Sequence, residues 1–271
     1  MKTTGAVSKK EKRPPNFVLI FDVETTGLTQ SKGWEPNVGY RTKNVRREDG
    51  SVTQEESRFV KAPRVVQLGW VALDMDGNIS ERVARTVKPD GWRVPSQAAA
   101  IHGITTQKAK EDGLPIHEVL AEFTGVAEQA ACIAGHNLRF DYLIVAGEYL
   151  RLGLPSPLKG KPYYRAMEET TALCKLRSWR GDDWKYPTLG QLYRFLFGKN
   201  RRGAHDAGAD AWTCAVCLRE LMHGGHANLM LGGKVPLAGL GVSPGGCVIP
   251  TVIGMAAVAA VAALISYILL G

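Results

Sequence analysis

Five side chains in this sequence are of the types that do proton and cation chemistry and lie where charge needs a reason: Asp22, Glu24, Asp141, His205 and Asp210. Asp22 and Glu24 close the apolar run Phe17 to Val23, whose Val, Ile and Phe content suits a buried central strand. Two residues apart on a strand, their side chains leave the same face while Val23 packs on the other. Two carboxylates there repel each other and lose hydration unless a cation or hydrogen-bond donors compensate. A divalent metal ion would compensate, and a pair of exposed acids at a strand end is the plain alternative.

Asp141 stands near the start of an amphipathic helix whose neighbours Phe140, Leu143 and Ile144 face a core. It either joins the acids or merely favours the helix dipole. His205 and Asp210 belong to His-Asp-Ala-Gly-Ala-Asp-Ala. At 100° per residue they would diverge by about 140° on one continuous helix. They share a site only if His205 precedes the first turn, with Asp206 as N-cap.

The elements that must position these residues follow from periodicity. Phe17 to Val23 and Val65 to Leu73 read as strands, and Asp74-Met75-Asp76-Gly77-Asn78 turns into a third strand around Arg82 to Val87. Helical spacing runs from Ile116 to Ala130, Leu138 to Leu152, Thr188 to Phe197 and Asp206 to Met222, with a short strand at Cys132 to Ala134. Hairpins followed by strand and helix alternation indicate an α/β domain with a mixed sheet. Residues 29–64 show little periodicity and read as a long insertion or loop, with eight basic and five acidic residues.

The chain of 271 residues is 45% apolar and 22% charged, which excludes a disordered or fibrous protein. Its net charge of +8 suits a polyanionic partner, although part of the excess sits in the basic tail 1–14, which is equally read as a solvated tail. The five cysteines, an odd number, and the lack of an apolar N-terminal signal favour a reducing compartment. Cys214 and Cys217 form a C-x-x-C inside a helical run with no second ligand pair, so they read as core residues rather than a zinc or redox site.

A Gly-rich linker over 225–247 leads to 248–270, 23 residues without a charge, eleven of them Val, Ile or Leu and six Ala. At about 1.5 Å per residue that length crosses the hydrocarbon core of a bilayer. The segment is expected to be a C-terminal transmembrane helix, leaving a domain at 15–224 in the cytosol or nucleoplasm.

Three segments, in order, resemble the DnaQ-like (DEDDh) 3′-to-5′ exonuclease family: Phe-Asp-Val-Glu-Thr-Thr-Gly-Leu at 21–28, Gly-His-Asn-Leu-Arg-Phe-Asp at 135–141 and the His-Asp-Ala-Gly-Ala-Asp-Ala segment at 205–211. Ile101-His102-Gly103-Ile104-Thr105 and Thr188-Leu189-Gly190-Gln191-Leu192-Tyr193 are similar to its connecting segments. The likeness spans roughly residues 16–222. It implies a ribonuclease H-like fold and hydrolysis of DNA or RNA from the 3′ end to nucleoside 5′-monophosphates. Asp22, Glu24, Asp141 and Asp210 would hold two Mg²⁺ or Mn²⁺ ions, and His205 would accept the proton of the attacking water.

The resemblance also implies that Thr25, Thr26, Gly27 and Leu28 line a pocket for the terminal nucleotide and that His136 and Asn137 contact the substrate backbone, where turn and cap roles are the alternative. His102 reads as structural, and Arg201 and Arg202 either meet phosphates or lie in a solvated loop. Expected partners are nucleic-acid 3′ ends, a membrane through 248–270 and a second copy of the chain as a homodimer. The competing reading is a catalytically silent binding or membrane-scaffolding module on the same fold.

Overall fold

The computed structural model describes residues 17–29, 31, 33–179, 181 and 183–223. The basic tail, the Gly-rich linker and the expected membrane segment 248–270 lie outside the described residues, among which no helix is long and apolar enough to cross a membrane.

The strands are β1 (Phe17–Thr25), β2 (Val38–Arg46), β3 (Val52–Val60), β4 (Val65–Asp74), β5 (Val83–Thr86), β6 (Cys132–Gly135) and β7 (Tyr163–Arg165). The helices are α1 (Ser96–His102), α2 (Thr106–Asp112), α3 (Ile116–Ala127), α4 (Leu138–Arg151), α5 (Ala166–Glu169), α6 (Thr171–Cys174), α7 (Leu189–Phe197) and α8 (Ala207–His223). A five-stranded mixed sheet runs β5-β4-β1-β6-β7. β1 pairs antiparallel with β4 and parallel with β6, so it takes the centre, as its unbroken apolar run requires.

Period-two alternation on β1 builds two cores. Phe17, Leu19, Phe21 and Val23 pack with Val119, Phe123, Ile144 and Val145 from α3 and α4. Val18 and Ile20 pack with Leu189, Leu192, Cys214 and Leu218 from α7 and α8. Asp22 and Glu24 continue the second set and therefore emerge on the α8 side. Cys214 and Cys217 are buried, reduced members of that core, and burial drives the Cys217 thiol up to about 12.

The insertion departs from its reading as a loop. β2 and β3 pair from Val38↔Val60 to Arg46↔Val52 as a separate two-stranded ribbon. Alternation is invisible there because polar and charged side chains occupy both faces, and neither strand faces a core. The local signal is the turn: Gly50 takes φ +85°, and Asp49 accepts bonds from the Ser51 amide and hydroxyl at 2.9 and 2.6 Å.

A buried charge fixes the ribbon's base. Glu148 of α4, 1% exposed, accepts from Arg64 Nε at 2.9 Å and from the Val65 amide at 3.0 Å, and lies 3.0 Å from Arg151 Nη1. Arg151 in turn donates to the carbonyls of Ala62 and Pro63.

Candidate active site

The site forms where β1 outruns β6. Parallel pairing between them ends at Ile20↔Ala134, so the Val23 amide has no strand partner on that side. Asp141, in the first turn of α4 and 3% exposed, takes its place: Oδ1 accepts the Val23 N–H at 3.1 Å. One acid from the α4 side is thereby set at the strand end between Asp22 and Glu24.

The other elements arrive through α8. His205 adopts φ +64°, a left-handed conformation unusual for a residue with a Cβ, and lies exposed just before the helix. Asp206 caps that helix, its Oδ1 accepting the Ala209 amide at 2.8 Å and its carbonyl accepting the Asp210 amide at 2.8 Å. The break between His205 and the first turn is the one that the 140° divergence requires. Ligand atoms of Glu24, His205 and Asp210 consequently lie within 4.8 Å of one another.

Two residues of β4 make this approach feasible, and the sequence reading missed both. Gln67, opposite Glu24 in the ladder, donates to Asp206 Oδ2 at 3.2 Å and accepts the Ala207 amide at 2.8 Å, clamping the start of α8 to the sheet. Gly69 stands opposite Asp22, and a Cβ there would meet the Ala207 carbonyl carbon and the Gly208 nitrogen at 2.2 Å. The signal was a lone polar side chain, and a glycine two residues on, inside the otherwise apolar run Val65 to Leu73.

A third missed role belongs to Arg201, in the segment between α7 and α8. Its guanidinium bonds both oxygens of Asp210, Nη1 to Oδ1 and Nη2 to Oδ2, the latter at 3.3 Å. An arginine near a proposed phosphate site gives no sequence sign that it pairs with a carboxylate.

Crowding the acids raises their proton affinity. Burial foremost, then the charge of Asp210, brings Glu24 up to about 7, partly opposed by Arg201. Burial, with Glu24 and Asp210 adding and the Val23 bond opposing, brings Asp141 up to about 8. Asp22 is driven well above the usual carboxylate range by burial and by Asp141, Asp210 and Glu24 in turn. Clustered hard oxygen donors that repel one another fit a Mg²⁺ or Mn²⁺ ion, and the acids here meet that test.

The remaining sequence candidates fall around this centre. Thr25 Oγ1 donates to the Gly27 carbonyl at 2.6 Å and Thr26 Oγ1 accepts the Arg64 amide at 2.9 Å, so this turn is held from within, while Leu28 is left 87% exposed. His136 is turned to the Pro187 carbonyl, 2.9 Å from Nε2, and burial lowers its pKa to about 4. Asn137 precedes α4, exposed and without a capping side-chain bond. His102 Nδ1 accepts the Ile104 amide at 3.2 Å, a bond internal to its loop. Burial foremost, and then His205 nearby, oppose its protonation.

No curated protein sequence matches the chain. Among solved structures, E. coli exonuclease I in complex with a dT13 oligonucleotide is similar at 18% identity and TM-score 0.56, over 77% of this chain and 41% of that one. E. coli exonuclease I in a second structure, concerned with how processivity is achieved, gives 19% and 0.55 over 76% of this chain and 40% of that one. Exonuclease I from Methylocaldum szegediense gives 20% and 0.53 over the same shares. At such identities the likeness establishes the fold, and the chain spans about two fifths of those proteins' length. The model of the exonuclease family RNase_T matches residues 19–218, most of the chain and all three site segments. The chain belongs to that family, the DnaQ-like exonucleases on a ribonuclease H-like fold.

Proposed function

We propose that the chain is a 3′-to-5′ exonuclease dependent on two Mg²⁺ or Mn²⁺ ions, hydrolysing phosphodiester bonds to nucleoside 5′-monophosphates. The observation that carries this reading is the convergence of acids from β1, α4 and α8, with His205, at the end of the central strand. Asp22, Glu24, Asp141 and Asp210 would hold the ions. When bound, the metal supplies Lewis-acid stabilisation of charge at the phosphate and makes water easier to deprotonate.

The chain's own residues do the rest. His205, exposed beside Glu24 and Asp210, accepts a proton from the attacking water at a ring nitrogen. Leu28 offers an uncovered apolar surface to the terminal base, and the turn 25–27 holds it beside the acids. His136, tied to Pro187, supports the wall of the site, and Asn137 is exposed toward substrate. Retention of every acid argues against a silent module.

Because E. coli exonuclease I was solved with dT13 and dA16 oligonucleotides, a single-stranded DNA 3′ end is the substrate to try first. The full chain, in detergent, is incubated with oligonucleotides labelled at the 5′ end, with Mg²⁺ or with EDTA. A descending ladder of 5′-labelled products, absent with EDTA, is expected. Undiminished degradation by an Asp210→Ala protein would remove the basis of this reading. Residues 248–270 are assigned the role of membrane tether with the nuclease facing cytosol or nucleoplasm, and loss of membrane sedimentation on deleting them is the check.

A further inference from the structure

We propose that Arg201 is the internal counter-cation of the metal-free site: its guanidinium occupies Asp210 until a metal ion displaces it, and then turns to a phosphate of the nucleic acid. This role rests on the exonuclease reading and extends it to a residue outside the three motifs.

The pairing is not a screened surface contact, since the two side chains are 13% and 12% exposed. Both oxygens of Asp210 are engaged, and Asp210 is one of the three residues whose ligand atoms converge with those of Glu24 and His205. A cation held there would face a second positive charge across one carboxylate, so ion and guanidinium compete.

The surroundings let it move while the helix stays. The start of α8 is secured independently by Asp206 and Gln67. The segment carrying Arg201 is bracketed by Gly198 and Gly203, at φ +67° and +66°, and is tied to α7 through Arg194 and Asn200, whose bond from Nε is 2.7 Å on the exposed side. A guanidinium released from one carboxylate presents the same two-pronged face to phosphate oxygens. A purely structural ion pair predicts the opposite behaviour: its loss would loosen the site and weaken metal binding.

The test titrates Mn²⁺ alone into the metal-free full chain by calorimetry, without nucleic acid. Arg201→Ala is expected to bind Mn²⁺ roughly tenfold more tightly, because the closed state no longer competes. Arg201→Gln, which keeps a hydrogen bond to Asp210 without the charge, is expected to shift the same way and guards against a folding artefact. At saturating Mn²⁺ both variants are expected to show KM for a single-stranded oligonucleotide raised roughly tenfold, the loss of a charge-assisted contact.

Unchanged or weaker Mn²⁺ binding by both variants overturns the counter-cation role and leaves the exonuclease reading standing. An unaltered KM overturns the transfer to phosphate. Failure of the unsubstituted chain to bind Mn²⁺ overturns the metal site itself and this role with it.

Discussion

Asp22 lies directly across the β1 and β4 ladder from Gly69, and that pairing sets how close α8 comes to the acids. The first turn of α8 rests on the strand where a side chain would stand, with Ala207 and Gly208 atoms 2.2 Å from the position of a Cβ. Gly208 repeats the device from the helix side, where an added Cβ would lie 2.9 Å from that of Ala84.

Gly69→Ala should therefore push α8 off the sheet and draw Asp210 and His205 away from Glu24. Backbone is the obstacle, so the clash is not relieved by a rotamer change. A stability loss of about 1–3 kcal/mol is expected from overpacking. Activity should fall by roughly 100-fold or more from misplacement of the site. Urea denaturation and oligonucleotide degradation measure the two effects, and near-normal activity would show that α8 is not seated by this glycine.

Glu24 gives a pH signature in the metal-free chain. The folded state keeps its proton up to about pH 7, whereas the ordinary value is 4.5. Between those values the unfolded chain binds fewer protons, so this group's contribution to stability declines as pH rises, and is constant outside the window. Glu24→Gln removes the decline. The variant should gain on the unsubstituted chain by on the order of 3 kcal/mol between pH 4.5 and 7 in EDTA. Saturating Mg²⁺ should cancel the difference by favouring the ionised acid. A gap that shrinks with rising pH would contradict the assignment.

His136 has the opposite sign. Its folded value near 4 lies below the ordinary 6.5 because burial excludes the charged ring, and the bond with the Pro187 carbonyl offsets this only in part. As pH falls from 6.5 to 4 the unfolded chain takes up a proton that the folded chain refuses, and stability is lost over that window. His136→Gln should flatten this loss, on the order of 3 kcal/mol when complete. Denaturation midpoints at pH 7 and pH 5 decide it, and a parallel acid response of both proteins would refute it.

Glu148→Ala should be among the more damaging changes away from the site. It strands Arg64 and Arg151 and leaves the Val65 amide without its acceptor. Removing one partner of a buried pair costs about 3–5 kcal/mol. Proteolysis should then cut first at the ribbon's base near Ala62 and Pro63, whose carbonyls Arg151 holds less firmly once Glu148 no longer anchors its guanidinium. Cleavage elsewhere first would mean the ribbon is held by other contacts.

The sequence made the central strand, the strand hairpin after it and the long helices legible: β1 and β4 are apolar runs buried on both faces, and helices such as α7 show apolar residues at helical spacing. α1, α2 and the three-residue β7 were not read, since a turn or two of helix, or a strand so short, carries too few residues to show a period. The ribbon was missed for the reason given by its composition. Of the proposed site, the acids and their order stand in the sequence itself, as motif spacing survives without geometry. Gln67, Gly69 and Arg201 act through contacts 9–140 residues away in sequence, which no local pattern contains.

Asp141 accepts the Val23 amide as a neighbouring strand would, so one carboxylate serves both the backbone and the proposed chemistry. The two duties part at the level of single atoms. An amide at 141 retains an oxygen for Val23 and gives up the charge, whereas alanine leaves a buried N–H unsatisfied. A lineage abandoning catalysis on this scaffold would thus find asparagine open and alanine closed, and the residue type at 141 would record whether the fold outlived its reaction.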